Sequence, residues 1–449
     1  MLHFQRRSVA HRACFTTGLF VVAIAVSGSL AQLVWSAPQL EFEAEPIHYA
    51  SAPVHDRVAA LQAKIDGGSL QLDYDPDRGY LPAVLEALGV SPSTQMLVFS
   101  KTSFQLRRIA PETPRAVYFG DDVYVGWVPD GDVIEVSTVD PELGAIFYTL
   151  GQQPAEHPKF LRDQGNCLTC HASSRTQGVP GHLVRSVYAA PSGQPHFGAG
   201  TFHTNHASPL KERWGGWYVT GTHGQQRHMG NVTSSEREPP YRRDVEAGAN
   251  RTELDDLVNL DRYLSGHSDI VALMVLEHQT EMHNWITLAN FETRLALHHD
   301  GVMNQALERP ADYVSETTAR RINAVTEKLV RYLLFADEAS LTDPIAGTSD
   351  FATRFAERGP TDARGRSLRQ FDLQQRLFKY PCSYLIYSEA FLKLPAPVKQ
   401  PIYRRLWEIL TGQDASKTYA HLSVDQRQAI REILLGTHPD LPDYWRAVE

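Results

Sequence analysis

Two hydrophobic periods divide the chain. Between residues 96 and 150 the apolar positions come in short β-branched and aromatic runs, Met96–Phe99, Ala116–Phe119, Val123–Val128 and Val133–Val136. Turn-forming residues separate them, at Asp121–Asp122, Pro129–Gly131 and Asp140–Pro141. Short extended runs bounded by Asp, Pro and Gly are how strands and tight turns are written. The pattern predicts three to five antiparallel strands. From about Asp269 the period becomes helical: Val271, Met274, Val275, His278, Met282, Trp285, Ile286 and Ala289 share one broad face of a helix over Asp269–Leu297. Further helices are expected at about 312–336, 363–379, 382–393, 397–411 and 423–436, with a short terminal one. Pro344, Pro360, Pro381, Pro395 and Pro397 punctuate them.

The remaining stretches are less periodic. Residues 38–60 read as a polar lead-in, and Pro82–Leu88 as a short helix ended by Gly89. Phe160–Thr169 has room for one or two helical turns, interrupted by Gly165. Downstream, to about Asn231, the chain is rich in Gly, His, Ser and Thr, with strands expected at Leu183–Tyr188 and Trp217–Thr220 and a hairpin turn at Pro191–Gly193. Gly198, Gly200, Gly215, Gly216, Gly221 and Gly224 suggest irregular backbone held close to something bulky. The fold class is therefore α+β, with a β-rich N-terminal part, a Gly/His-rich middle and a mainly helical C-terminal part. At 449 residues the chain has room for two or three cores. The expected division is 38–155, 156–265 and 266–449.

Residues 1–37 have the order of a secretory signal. Arg6, Arg7 and Arg12 precede an apolar run from about Phe15 to Ala31, followed by small residues at Ser29, Ala31, Ser36 and Ala37. An uncleaved membrane anchor is the alternative for the same run, although Ser27, Gly28 and Ser29 weaken it as a span. Either way the expectation is export, to the periplasm or to a membrane facing it. Loss of these residues, which hold three arginines and no acid, takes the formal charge from −9 by a further three to −12. So acidic a chain has no basic field with which to displace counterions from phosphates, which excludes nucleic acid as a general partner.

The chemistry concentrates at Cys167-Leu168-Thr169-Cys170-His171. Two thiols two residues apart can form thioethers with the two vinyl groups of one porphyrin, and the adjoining imidazole reaches the iron. A zinc site would need a second Cys pair, and a thioredoxin-like dithiol has no use for the histidine. Of the four cysteines, Cys14 lies in the signal and two in the motif. That leaves Cys382, in an aromatic setting that suits a buried small hydrophobe. Thirteen of the nineteen histidines fall between His157 and His299. Candidates for a sixth iron ligand are His223, His228 and Met229, in a glycine-flanked loop, and His278, on the apolar helix face one turn from Met282. His203-Thr204-Asn205-His206 could bind a metal only with further ligands. Asp121–Asp122 reads as a turn, Arg364–Arg369 as a solvated helix start, and His298–His299 as favourable charge at a helix end. No nucleotide-binding loop, nucleophile elbow or zincin motif is present.

The motif resembles the attachment site of c-type cytochromes. The segments Pro114–Phe119, Asp122–Trp127, Ser174–Gly178, Arg213–Val219 and Arg376–Tyr387 are similar to a family of large exported bacterial proteins that carry one such motif and have no assigned activity. The resemblance implies one covalent haem c, with Cys167 and Cys170 as its thioether links and His171 as its proximal ligand. It does not bring the fold of small cytochromes, which are far shorter. The leading expectation is single-electron transfer with a redox partner protein. The alternatives are a haem enzyme with an open distal side and a haem-based sensor or interaction protein.

Overall fold

The computed structural model describes residues 41–235 and 243–446, so residues 1–37, expected to be an export signal or membrane anchor, lie outside the described residues. Two short helices come first. Helix α1 (Arg57–Asp66) starts where the Asp56 carboxylate accepts the N–H groups of Val58 and Ala59, the usual way of satisfying orphan donors at a helix start. Its first residues fall in what reads as a polar lead-in, because one capping aspartate is a weaker signal than a long periodic run. Helix α2 (Leu81–Ala87) follows, close to its expected place.

Six strands then form one antiparallel meander in chain order: β1 (Met96–Val98), β2 (Arg115–Phe119), β3 (Val123–Trp127), β4 (Val133–Asp140), β5 (Gly144–Gly151) and β6 (Phe160–Arg162). Asp121 and Asp122 sit in the tight link between β2 and β3. Both faces of the sheet are covered. Leu97, Tyr118, Val123, Val125 and Ile134 pack with Val58, Leu61, Leu81 and Val84 of α1 and α2, whereas Met96, Val117, Phe119 and Tyr124 join the core around the long helix further on. Alternation along each strand thus divides side chains between two apolar cores, and for this reason β3 is buried along its whole length.

After β6 come a single helical turn, α3 (Leu168–His171), and a small ribbon of β7 (Arg185–Val187) and β8 (Thr201–His203). Trp217–Thr220 is not a strand. It makes isolated bridges to Val98 and Asp269, and so stitches the middle of the chain to the sheet and to the next helix.

Helix α4 (Ile270–Ala306) is the axis of the remainder. At 1.5 Å per residue its 37 residues run about 55 Å. Every residue from Ile270 to Asn284 is buried, so its first half is enclosed on all sides. Its N-terminus is held by Asp269, which accepts from Val271 N, while its other oxygen accepts from Thr348 N and Ser349 N. Helices α5 (Glu316–Leu333), α6 (Phe351–Glu357), α7 (Glu389–Leu392), α8 (Ala396–Leu410) and α9 (Val424–Thr437) complete the chain. The expected helix over 363–379 is absent. Asp362 folds Arg364 and Arg366 into a turn, and Phe371 pairs with Phe378 across a tight reversal, their rings 5.4 Å apart. Two aromatic residues seven apart in sequence look like a helical stripe, but here they meet face to face. The expected helix over 382–393 reduces to a 3₁₀ turn and α7, and α6 was not foreseen.

The stretches 38–155, 156–265 and 266–449 are not separate compact units, because residues Leu40–Glu449 form one. Leu97 N donates to Ser268 Oγ (2.9 Å), Tyr218 N to Leu97 O (2.8 Å) and Gln279 Nε2 to Gly120 O (2.7 Å), so each segment closes against the others. Among the described residues no helix is long and apolar enough to cross a membrane.

Candidate haem-attachment site

The Cys167–His171 turn is launched from the edge of the sheet. β6 pairs with β5, and at its end the Asp163 carboxylate accepts the N–H groups of Gly165 and Cys167 at 2.9 Å each, together with the Asn166 side chain at 3.1 Å. Partial burial works against this carboxylate, but these donors outweigh it and hold Asp163 below the usual range. Gly165 has φ 112°, a conformation that side chains rarely adopt, and so lets the chain reverse into α3. Cys170 N and His171 N both return to Cys167 O (3.1 and 3.0 Å), which places the two cysteines and the histidine on one turn. Leu168 is buried and anchors that turn to the core shared with α1 and α2.

Both thiols are free, Cys167 partly buried and Cys170 exposed. Burial, followed by the Asp163 charge, pushes the Cys167 thiol up to about 12. It therefore stays protonated at neutral pH, whereas redox-active dithiols need a stabilised thiolate.

The His171 ring is set by its second nitrogen. Nδ1 lies 2.9 Å from the carbonyl oxygen of Gly181, to which it donates as the Nδ1–H tautomer, and Gly181 N donates back to His171 O at 2.8 Å. Phe147 of β5 packs on the ring, with centroids 4.8 Å apart. Nε2 has no hydrogen-bond partner among the described residues. Burial lowers the basicity of the ring and keeps it neutral. An imidazole fixed by one N–H to a carbonyl, with the other nitrogen's lone pair uncommitted, is a metal-ligating arrangement.

The loop from Ala172 to His182 is clamped onto α4. Gln177, at φ 59°, donates to Glu281 Oε1 (2.9 Å), His182 N donates to Asn284 Oδ1 (2.9 Å), and Asn284 Nδ2 donates to His182 O (2.7 Å). Residues 277–284 of α4, Glu-His-Gln-Thr-Glu-Met-His-Asn, are all buried. Glu277 is paired with Arg213 at 3.1 Å. Glu281 has no such partner. Burial raises it to about 7, and His203 Nε2, itself without a hydrogen bond, lies 3.8 Å from its Oε2.

The four residues named from the sequence as sixth-ligand candidates lie elsewhere in the network, and none hydrogen-bonds or stacks with Cys167–His171. His223 uses both nitrogens, Nδ1 to Gln226 O (2.8 Å) and Nε2 as acceptor from Asn250 N (3.0 Å). His228 accepts from Gly230 N at Nδ1 (3.0 Å) and packs edge-on against Trp214 and His223. Met229 is buried, and its sulfur accepts from Ser186 Oγ (3.5 Å). His278 meets His206 through Nδ1 (2.9 Å) and Ser383 through Nε2 (2.8 Å), stacked on Phe335. His203 and His206 diverge, one toward Glu281 and the other toward His278, so H-x-x-H supplies no joint site. Cys382 is fully buried among aromatic residues.

No family model, curated protein or solved structure matches the chain. The likeness to haem-attaching proteins rests on the residues themselves. Two free thiols and an oriented imidazole on one turn are a donor set that fits a covalently attached haem. The sequence points to these three residues but has no signal for the Gly181 carbonyl or Phe147, which are brought in by chain reversal and by β5. The polar run 277–284 inside an apolar helix, broken only by Met282, is the available sign of the buried carboxylates.

Proposed function

We propose that the protein is an exported monohaem c-type protein that passes single electrons to or from a partner protein. The observation that carries this reading is the attachment motif folded as one turn, with His171 Nδ1 engaged by Gly181 O and Nε2 left uncommitted. Cys167 and Cys170 would hold the haem through thioethers, and His171 would ligate its iron. Bound haem would supply a one-electron couple. The residues around it orient and shield: Phe147 and Gly181 fix the imidazole, and Asp163 and Leu168 fix the turn. The basic and apolar start of the sequence supports export, where such attachment takes place.

The test is expression with a cytochrome c assembly system. Haem that stays with the polypeptide through denaturing electrophoresis and acid–organic extraction, and is lost from Cys167→Ala and Cys170→Ala variants, supports the reading. Haem that extracts into acidified solvent refutes it.

A haem enzyme is the second reading, and Glu281 is the observation that favours it. A buried carboxyl pushed to about 7 with an imidazole 3.8 Å away can exchange a proton near neutral pH, which a simple carrier does not require. Low-spin six-coordinate iron favours the carrier; high-spin iron that binds cyanide readily favours the enzyme.

A further inference from the structure

Of the eleven large apolar side chains that stand exposed among the described residues, five fall within residues 302–314, and the other six are spread from Tyr74 to Val424. The five are Val302, Met303, Leu307, Tyr313 and Val314, each between 44% and 54% exposed, at the end of α4 and in its link to α5. Single exposed apolar residues need no explanation, whereas a group of them marks a docking surface. The link that carries them is ordered. Buried Asn304 donates from Nδ2 to Tyr313 O (2.8 Å), Arg309 N donates to Asn304 O (2.9 Å), and Ser315 N donates to Asp300 Oδ2 (2.8 Å). The Arg309 guanidinium lies over the Tyr313 ring, 5.1 Å from its centroid. The apolar side chains therefore stand on a fixed knob at the tip of α4.

The first described residues lie along the side of α4 that leads to this knob. Phe42 packs on Phe291, ring centroids 6.2 Å apart, Pro46 O accepts from Arg294 Nη2 (3.0 Å), and Glu45 Oε2 is 3.8 Å from His298 Nε2. Residues 291, 294 and 298 follow one another at spacings of three and four, and Val302 is the next position in that row, one turn or about 6 Å beyond His298. Upstream lies the apolar run Phe15–Ala31, joined through residues 32–40, which cover only about 30 Å even when fully extended. A bilayer holding that run is within reach of the knob by chain length alone. Tyr313 with Arg309 stacked on it is a pairing of amphipathic side chains suited to the membrane–water interface. Acids and bases nearly balance here, Glu308, Asp312 and Glu316 against Arg309 and Arg320, so apolar burial rather than headgroup charge would drive the contact.

We propose that the tip of α4 and its link to α5 form a membrane-docking surface that rests on the lipid bilayer in which residues 15–31 are anchored. The inference is independent of the haem reading, and it takes the uncleaved anchor over the cleaved signal for residues 1–37.

The experiment uses the full chain, expressed in a bacterial host with a benzophenone photo-cross-linking residue placed in turn at Met303, Leu307 and Val424. Val424, 80% exposed, is the control. His421, three residues before it, bonds Leu334 O (2.8 Å) at the far end of α5, whose 18 residues put that end about 27 Å from the knob. Membranes washed in high salt and irradiated are expected to yield phospholipid adducts from positions 303 and 307 and none from 424, because the contact does not depend on charges that salt would screen. Val302→Glu is expected to cut the adduct at position 307 several-fold with thermal unfolding unchanged. A chain released from the membrane, adducts to a second copy of the chain in place of lipid, or no adduct at 303 and 307 would each overturn the inference. Covalent haem is expected in every variant, and its absence would count against the functional reading alone.

Discussion

Replacing Glu281 with Gln should flatten the dependence of stability on pH. The carboxyl is 2% exposed. Its donors are Gln177 Nε2 (2.9 Å) and Asn284 Nδ2 (3.2 Å), with the unbonded Nε2 of His203 at 3.8 Å. Burial raises its pKa from 4.5 to about 7, against the pull of the two amides. A carboxyl whose folded pKa lies above its unfolded one binds its proton more tightly in the folded chain. Its contribution is fully present below the unfolded pKa and is lost as pH rises through the folded one. At about 1.4 kcal/mol per pH unit over that interval, the loss is about 3 kcal/mol. Glutamine cannot ionise, still accepts from Gln177, and can donate an N–H to His203 Nε2. Urea unfolding at pH 5 and pH 8, with the denaturant slope held common, should show Glu281→Gln gaining about 3 kcal/mol on the unmodified protein over that range. The buried histidines work in the opposite sense. His278 and His228, lowered to about 3, and His283, lowered to about 4, destabilise the fold as pH falls below the unfolded histidine range. They are present in both proteins and cancel in the difference. Glu277 and Glu338, also raised by burial to about 7, cancel in the same way. Parallel pH curves for the two proteins would refute the assignment of a buried, proton-binding carboxyl at 281.

Arg213→Met should destabilise the fold by about 3–5 kcal/mol, because it leaves the Glu277 carboxylate buried without its cation and frees the carbonyls of His206 and Ser208; chemical denaturation at pH 8 measures it, and a loss under about 1 kcal/mol would contradict the pairing. Asp269→Ala removes the α4 cap and three donors' acceptor at Thr348 and Ser349, so a loss of at least about 2 kcal/mol is expected, with hydrogen exchange accelerating first at Val271, Ala272 and Thr348. Cys382→Ser should keep covalent haem while lowering the unfolding midpoint, since it places a hydroxyl at a fully buried site at a cost of about 1–3 kcal/mol; haem loss in folded protein would show that the thiol has a role beyond packing.

The fold was legible where its information is local. Turn residues and β-branched runs marked β1 to β4, and a sustained 3.6-residue period marked the first three-quarters of α4, because each reflects a face that must be buried. Reading failed where burial is arranged by reversal of the chain. Phe371 and Phe378 stack across a tight turn, yet their spacing of seven imitates a helix. Trp217 to Thr220 has the composition of a strand, but it spends its backbone on two isolated bridges that join different parts of the chain. The segments expected as separate domains share cores for the same reason: alternation says that a side chain is buried, but not against what. Tyr124 and Val125 are neighbours on one strand and belong to different cores.

The site divides along the same line. Thiol spacing and the adjoining histidine are properties of five consecutive residues, so they were readable without a fold. Histidine density, glycine-rich context and, for His278, a place on an apolar helix face point to the sixth-ligand candidates, and none of these properties says where a ring nitrogen points. In the folded chain His223 and His278 each have both nitrogens engaged, which makes them parts of a buried hydrogen-bond network and gives their abundance a structural cause. A neutral imidazole can donate at one nitrogen and accept at the other, so it can bridge two buried groups that a purely apolar residue would leave unsatisfied. What sets His171 apart is asymmetry. One nitrogen is held by a carbonyl ten residues away and the other has no partner among the described residues, on the same turn as two free thiols. That combination, rather than the number of nearby histidines, separates a residue prepared for a ligand from one already satisfied by its neighbours.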